Sequence, residues 1–372
     1  MEPIWLKRYP PEVPKTVDLD PDESLADIFA HVCKTFPQRP AFANFGKKLS
    51  FADLNELSGR FAAYLQTELA LTRGDRVAIM MPNLLQYPVA LFGALRAGLV
   101  VVNLNPLYTS HELHHHLNDC GARVIVVVAN SVHELAAVVT ETPIEHVLVT
   151  EIGDLLGFPK RPLVNFVVRY IKRLVPSYDL PTAKPFSDAL RQDGPAFVPP
   201  ADLTGTDLAF LQYTGGTTGV AKGAMLTHAN MVANTRQMNT WFAAHWVVGE
   251  EIVITALPLY HVYALTCNCF TYFAKGGLNV LITDPRDTKG MIREMRKWKF
   301  TAITGVNTLY QRLVEHPLLP SANFDALKVA SAGGMAVLQA TAKRWAALTG
   351  KEILEGYGLS ETSPVLTSNP AD

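Results

Sequence analysis

The sequence predicts an α/β protein built on two doubly wound, mostly parallel sheets, and three observations carry that prediction. From Arg76 onward short β-rich runs alternate with helical stretches: Val77 to Met81, a helix from Leu84 to Arg96, Val100 to Leu104, a helix to Asn118, then Arg123 to Val128. That rhythm belongs to parallel strands joined by crossover helices. A second series starts near Asp207 with Leu208 to Tyr213 and runs through Ile252 to Leu257, Leu278 to Thr283, Thr301 to Gly305, Leu327 to Ser331 and Glu352 to Leu354. Between the two series, Gly153 to Pro200 is rich in proline and breaks the rhythm, which marks a junction. The expected division is therefore a first α/β subdomain over 1–200, ending in a junction segment at about 153–200, and a second over 201–372. No internal repeat of fixed period interrupts this pattern.

Composition narrows the functional classes. With 372 residues, 48% apolar side chains and a formal net charge of -1, the chain can bury large cores. Near-neutral charge leaves no general electrostatic footprint for nucleic acid, so none is expected as a partner. The apolar stretch from Pro88 to Leu104 is interrupted by Arg96 and Gly98 and reads as a helix followed by a strand, not a membrane span. The start shows neither a basic leader nor an apolar run, so a cytoplasmic protein is expected. Cys33, Cys120, Cys267 and Cys269 lack the spacing of a zinc site or a disulfide framework and read as reduced core thiols.

In open α/β sheets ligands bind outside the carboxyl ends of strands, so the chemistry is sought in those loops. Directly after the strand ending at Tyr213 comes Thr214-Gly215-Gly216-Thr217-Thr218-Gly219-Val220-Ala221-Lys222-Gly223. The glycines let backbone N–H groups converge on an anion, the threonine hydroxyls add donors, and Lys222 supplies a point charge, which together make a polyphosphate cradle. It is not the P-loop of NTPases. Anchored on Gly216, that pattern demands Gly at Ala221 and Ser or Thr at Gly223. The segment resembles instead the phosphate-loop signature of the adenylate-forming superfamily, which unites acyl-CoA synthetases, luciferases and peptide-synthetase adenylation domains. In detail it looks like the bacterial long-chain fatty acyl-CoA synthetases.

Further motifs agree with that resemblance in order and spacing. Glu355-Gly356-Tyr357-Gly358-Leu359-Ser360-Glu361-Thr362 matches the superfamily's adenine and magnesium motif. The resemblance implies that Tyr357 stacks on adenine, Ser360 bonds the phosphate region, and Glu361 with Thr214 ligates Mg²⁺, a hard cation that takes oxygen donors. Leu257 to Leu265, containing Tyr260 and His261, looks like the acyl-pocket motif, and Ser331 to Met335, containing Gly333 and Gly334, like the adenine-side loop. His261 would line the route to the carboxylate; Leu265 stands where some relatives carry a tryptophan gate. The implied nucleotide site therefore comprises Tyr213, Thr214, Gly215, Gly216, Thr217, Thr218, Gly219, Lys222, Gly333, Gly334, Glu355, Gly356, Tyr357, Gly358, Ser360 and Glu361. Thr214, Lys222, His261 and Glu361 would take the catalytic roles. The implied fold is the family's large N-terminal domain, two sheets with flanking helices and a small β-barrel-like part, without the mobile C-terminal domain.

Two other patterns compete for attention. His111-Glu112-Leu113-His114-His115 satisfies the H-E-x-x-H pattern, with His111 and His115 on one helix face. The same residues read as an ordinary helix start in which Thr109 and Glu112 form a capping box, and no third ligand follows at a plausible spacing, so no metal besides magnesium is expected. Leu163, Phe166, Val167, Tyr170, Ile171 and Leu174 recur at helical spacing among Lys160, Arg161, Arg169, Lys172 and Arg173. This basic amphipathic helix either packs its stripe on the body of the protein or docks on the anionic inner leaflet.

The expected reaction is attack of a long-chain fatty acid carboxylate on the α-phosphate of ATP, giving acyl-AMP, then thiolysis by coenzyme A. The partners are thus the fatty acid, ATP and coenzyme A, with a homodimer left open. Rival readings are a fatty acyl-AMP ligase or aryl-CoA ligase of the same superfamily, or a catalytically silent nucleotide or lipid-binding module. Members of the resembled family continue past the position of Glu361 through the rest of this domain and a mobile C-terminal one, which bring an acidic residue for the ribose and a lysine for the reacting oxygens. Neither has a stand-in here, so the chain by itself is expected to be a nearly inactive fragment.

Overall fold

The computed structural model describes residues 3–191, 196–214 and 221–371. Two sheets dominate it. The seven-stranded sheet runs in the order β7-β6-β5-β3-β4-β8-β9, built from β3 (Arg76–Met80), β4 (Val100–Asn103), β5 (Val124–Val128), β6 (His146–Thr150), β7 (Lys184–Pro185), β8 (Leu208–Thr214) and β9 (Lys222–Thr227). The eight-stranded sheet runs β15-β14-β13-β12-β10-β11-β1-β2, from β1 (Pro40–Asn44), β2 (Lys47–Ser50), β10 (Ile252–Thr255), β11 (Leu278–Leu281), β12 (Ala302–Gly305), β13 (Val329–Ala332), β14 (Ile353–Gly358) and β15 (Val365–Ser368). Pairing is parallel except at β1·β2, β8·β9 and β14·β15.

The central strands are runs such as Val-Ile-Val-Val-Val in β5, buried at every position. A parallel strand covered by helices on both faces must be apolar on both, which explains the run in place of alternation. The helix expected between Leu84 and Arg96 forms over Gln86–Arg96 and is buried throughout except at Arg96. With the helices Leu25–Thr35 and Phe51–Thr67 it fills the space between the sheets. There the Phe29 ring lies 4.7 Å from Phe92, and Phe273 lies 4.6 Å from Phe92 and 5.1 Å from Phe51. No described helix is long and apolar enough to cross a membrane.

The sheets do not divide at residue 200. β8 and β9, expected in the second unit, close the edge of the seven-stranded sheet, and β1 and β2, from the first, pair onto β11 of the eight-stranded one. The chain thus laces the two sheets together, and one continuous core includes Phe29 and Phe92 from the first half with Phe210, Phe270 and Phe273 from the second.

The helix over Ser110–Cys120 starts as the Thr109 and Glu112 pattern predicts: Glu112 N donates to Thr109 Oγ1, and the Glu112 carboxylate accepts from Thr109 N at 2.8 Å. Glu112 is therefore engaged in the cap. Segment 160–174 departs from a simple amphipathic helix. Lys160–Phe166 is α-helical and Val167–Ile171 forms a wider π-type turn, which rotates the later side chains relative to the earlier ones. Val164 packs on the core, while Leu163, Phe166, Tyr170, Ile171 and Leu174 are all exposed. Arg169 is drawn out of the basic face by Glu151, Nη2 to Oε1 2.6 Å.

Candidate active site

The two strand ends that flank the predicted phosphate loop supply the first wall of the site. Thr214 ends β8, Lys222 begins β9, and the two residues sit opposite each other in register. Gly215, Gly216, Thr217, Thr218 and Gly219 lie outside the described residues. Among the described residues, no carboxylate pairs with Lys222 and no base with Glu361, so both charges stand available to a ligand.

The second wall comes from the carboxyl ends of β13 and β14. Gly334 adopts φ +78°, a left-handed conformation that glycine adopts freely. A Cβ on Gly358 would sit 1.9 Å from the Pro364 carbonyl oxygen, so only glycine lets the strand end approach the returning β15. The turn 360–362 then presents Ser360 and Glu361. The segment after it is held in place by Asn234, whose side chain accepts from Val365 N at 3.0 Å and donates to Val365 O at 2.9 Å. Thr266 Oγ1 donates to Ser363 O at 2.7 Å from the other side.

His261 provides the third wall from the loop after β10. Its Nδ1 accepts from Tyr263 N at 3.3 Å, which leaves the hydrogen of the neutral ring on Nε2. Burial holds the imidazole below its ordinary pKa, so at neutral pH the ring is uncharged and presents an N–H donor.

These walls enclose a single cavity of about 800 Å³ lined by Thr214, Lys222, His261, Gly333, Gly334, Gly356, Tyr357, Gly358, Ser360 and Glu361. Of the residues expected from the sequence, Tyr213 and Glu355 stand apart from it. The Tyr213 ring is buried against His116 at 4.5 Å and its hydroxyl bonds Asp119, so Tyr213 supports β8 from behind and borders only a smaller side cavity of about 190 Å³. The Glu355 carboxylate accepts from Val337 N at 3.1 Å, bracing the loop after β13.

The cavity continues inward past residues that the motifs do not name: Met238, Phe242, Trp246, Cys267, Thr271 and Tyr272. The aromatic rings form a wall, with Trp246 centred 5.0 Å from Tyr272 and 5.8 Å from Phe242. Cys267 and Thr271 come from a π-type turn over Leu265–Phe270 and the helix that continues it. Widened turns of this kind recur at functional sites, and they leave no trace in a 3.6-residue periodicity. Cys267 is a free thiol, as expected, but one whose side chain faces this cavity; burial pushes it up to about 12. Leu265 is fully buried in the core and does not line the cavity.

The comparisons with known proteins give the family and the fold. The model of the AMP-binding enzyme family matches residues 29–372. The chain belongs to the AMP-binding enzyme family. It is 53% identical over 372 residues to a long-chain-fatty-acid–CoA ligase of Escherichia coli O157:H7, covering 100% of this chain and 66% of that one. To the ligase of the same name from Bacillus subtilis it is 34% identical, over 98% of this chain and 64% of that one. The chain thus spans about two thirds of the length of these relatives. Among solved structures, an ATP-bound MatB of Rhodopseudomonas palustris superposes with TM-score 0.73 at 27% identity, over 93% of this chain and 62% of that one. A crystal structure of an Archaeoglobus fulgidus long-chain-fatty-acid–CoA ligase superposes with TM-score 0.77 at 22% identity, over 98% and 68%, a likeness in fold. The two-sheet α/β architecture predicted from the sequence is therefore that of the N-terminal domain of the adenylate-forming enzymes.

Proposed function

We propose that the complete protein to which this chain belongs activates long-chain fatty acids, forming acyl-AMP and pyrophosphate from the acid and ATP, and then acyl-CoA and AMP from acyl-AMP and coenzyme A. The observation that carries this reading is the continuity of one cavity, polar and phosphate-ready at the strand ends, apolar and aromatic further in, with His261 at the transition. The names of relatives that cover 98 to 100% of this chain support the same substrate class.

The chemistry asks little of a nucleophilic side chain, because a carboxylate already carries the attacking electron pair. What the site must do is align it with the α-phosphate and stabilise charge growing on phosphate oxygens. Lys222 supplies a fixed positive charge at the hairpin, and Thr214 and Ser360 offer hydroxyls. The neutral His261 donates from Nε2 toward the place where the acid carboxylate enters, without forming a competing ion pair. Thr214 and Glu361 offer hydroxyl and carboxylate oxygens on the same cavity, a donor set suited to Mg²⁺, which is usually held by one or two protein groups plus substrate phosphates. When bound, that ion would neutralise phosphate charge. The Phe242, Trp246 and Tyr272 rings give the inner cavity an apolar wall suited to an acyl chain.

The test is to incubate the complete protein with ATP, magnesium, coenzyme A and a panel of acids. Palmitate-dependent pyrophosphate exchange followed by thioester formation is expected. Exchange without thioester would assign an acyl-AMP ligase, preference for benzoate-type acids an aryl-CoA ligase, and no exchange a non-catalytic module.

We also propose that the protein works in the cytoplasm, at the inner leaflet of the membrane where its substrate dissolves. The exposure of Leu163, Phe166, Tyr170, Ile171 and Leu174 beside Lys172 and Arg173 supports this, since exposed apolar groups flanked by cations suit anionic lipid. Co-sedimentation with anionic vesicles is the expected result. Concentration-dependent dimerisation without lipid binding would assign the patch to a second copy instead.

A further inference from the structure

His261 belongs to the loop that leaves the eight-stranded sheet, yet its loop is fastened by side chains of the seven-stranded one. Asn83, just past β3 and 2% exposed, donates from Nδ2 to Thr255 O at 3.0 Å and Leu257 O at 2.9 Å, and accepts from Leu259 N at 2.8 Å. The Tyr87 hydroxyl stands 2.8 Å from Leu259 O and 2.7 Å from Asn103 Oδ1. Asn103 then donates from Nδ2 to Gln212 Oε1 at 3.2 Å, and Gln212 donates from Nε2 to Tyr260 O at 2.9 Å.

The last link joins two parts of the site. Gln212 lies on β8 one residue before Tyr213 and two before Thr214, on the strand that delivers the phosphate hairpin. Its acceptor, the Tyr260 carbonyl, belongs to the same peptide unit as His261 N, and that unit is planar. Holding its oxygen sets the direction of the His261 N–H, which donates to Pro258 O at 3.0 Å, and hence the point from which the imidazole emerges. Buried amides keep such bonds because water cannot replace them, and Gln212 is 3% exposed.

We infer that Gln212 is a positioning residue that sets His261 relative to Thr214, so that the carboxylate-facing imidazole and the phosphate-binding hairpin keep a fixed separation across the seam between the sheets. The inference rests on the acid-activation reading above. Asn103 and Tyr87 orient Gln212 in turn, and Asn83 braces the first part of the same loop.

The experiment uses the complete protein and measures acid-dependent pyrophosphate exchange, with the unsubstituted enzyme as the check on the activity itself. Absence of exchange there would sink the functional reading before Gln212 is at issue. Given exchange, Gln212→Met, which keeps length and removes the hydrogen bonds, should lower kcat/KM for the acid by about 10- to 10²-fold, the range expected of an ångström-scale misplacement. KM for ATP should stay close to that of the parent; Tm should fall, because Asn103 Nδ2 and Tyr260 O lose their partner, so activities are compared at a temperature where both proteins are folded. Combined with His261→Ala, the substitution should cause little further loss, because residues acting through one another are not additive. Losses that multiply in the double variant, or a matching rise in KM for ATP, would overturn the inference. Gln212→Glu gives a second arm should the Met variant fail to fold. Its activity relative to the parent should rise from pH 8 to pH 6, as a protonated carboxyl regains a donor toward Tyr260 O. Tyr260, raised above its ordinary value by burial, stays protonated throughout this window, and any change at His261, held below its ordinary value by burial, is common to both proteins, so the ratio isolates residue 212. A ratio that does not change with pH would overturn the assignment.

Discussion

Replacing Cys267 by Phe tests the acyl pocket without touching the nucleotide site. Cys267 lines the inner part of the cavity with Thr271 and Tyr272. A phenyl ring there takes the room of about three to four methylenes, and at about 0.8 kcal/mol per buried CH₂ the longest acids lose about 2.4 to 3.2 kcal/mol of transition-state binding. That corresponds to a fall of about 60- to 200-fold in kcat/KM at 1.36 kcal/mol per decade. Acids short enough to end above residue 267 lose nothing. The assay is thioester formation by the complete protein with saturated acids from octanoate to stearate, with Tm measured in parallel because overpacking can strain a core. The expected result is a chain-length profile truncated at the long end with KM for ATP unchanged. An equal loss at every length, with the fold intact, would refute the assignment of this space to the acyl chain.

Lys222→Ala and Glu361→Ala should each lower adenylate formation by about 10²-fold or more, as the loss of one preorganised electrostatic group typically does; pyrophosphate exchange that survives both undiminished contradicts the site. Lys172→Gln with Arg173→Gln should weaken binding to anionic vesicles by about 1 kcal/mol per charge, roughly 30-fold in all, and more salt should weaken it further; Arg169 is left in place because Glu151 holds it. His228, fully buried with Nδ1 accepting from Leu25 N at 3.1 Å, is held at about 4 by burial, against 6.5 for an ordinary histidine. The folded state therefore refuses a proton that the unfolded state accepts below about pH 6.5, and stability should fall as pH drops from there to about 4, by roughly 3 kcal/mol. Denaturant melts of the parent and His228→Asn across that window should differ in slope, and parallel pH profiles would exclude His228 as a cause.

Much of this molecule is legible in its sequence, because the relevant signals are local. The Val77, Val100 and Val124 runs mark strands within a residue or two of their observed bounds, and the Thr109 and Glu112 cap forms as spaced. Thr214, Lys222 and Glu361 fall on one cavity because the turns they flank follow the carboxyl ends of β8 and β14, where such folds place their ligands. Other features depend on partners far away in the chain. A Val/Ile run says that a strand is covered on both faces but not which strand it pairs with, so β8 and β1 changed sheets relative to a division at residue 200. Tyr213 and Glu355 sit inside site motifs, yet their polar atoms are taken by Asp119 and Val337. An amphipathic stripe at 160–174 is compatible with a packed or a free face, and the π-type turn with the Arg169–Glu151 pair left it free. The inner pocket and the Asn83, Asn103 and Gln212 bridge arise where the two sheets meet. Sequence by itself determined the central parallel strands, the Thr109 cap and the residue types offered by the loops; only the packing of one sheet on the other decided which buried amide answers which carbonyl, since those contacts join residues separated by tens to hundreds of positions.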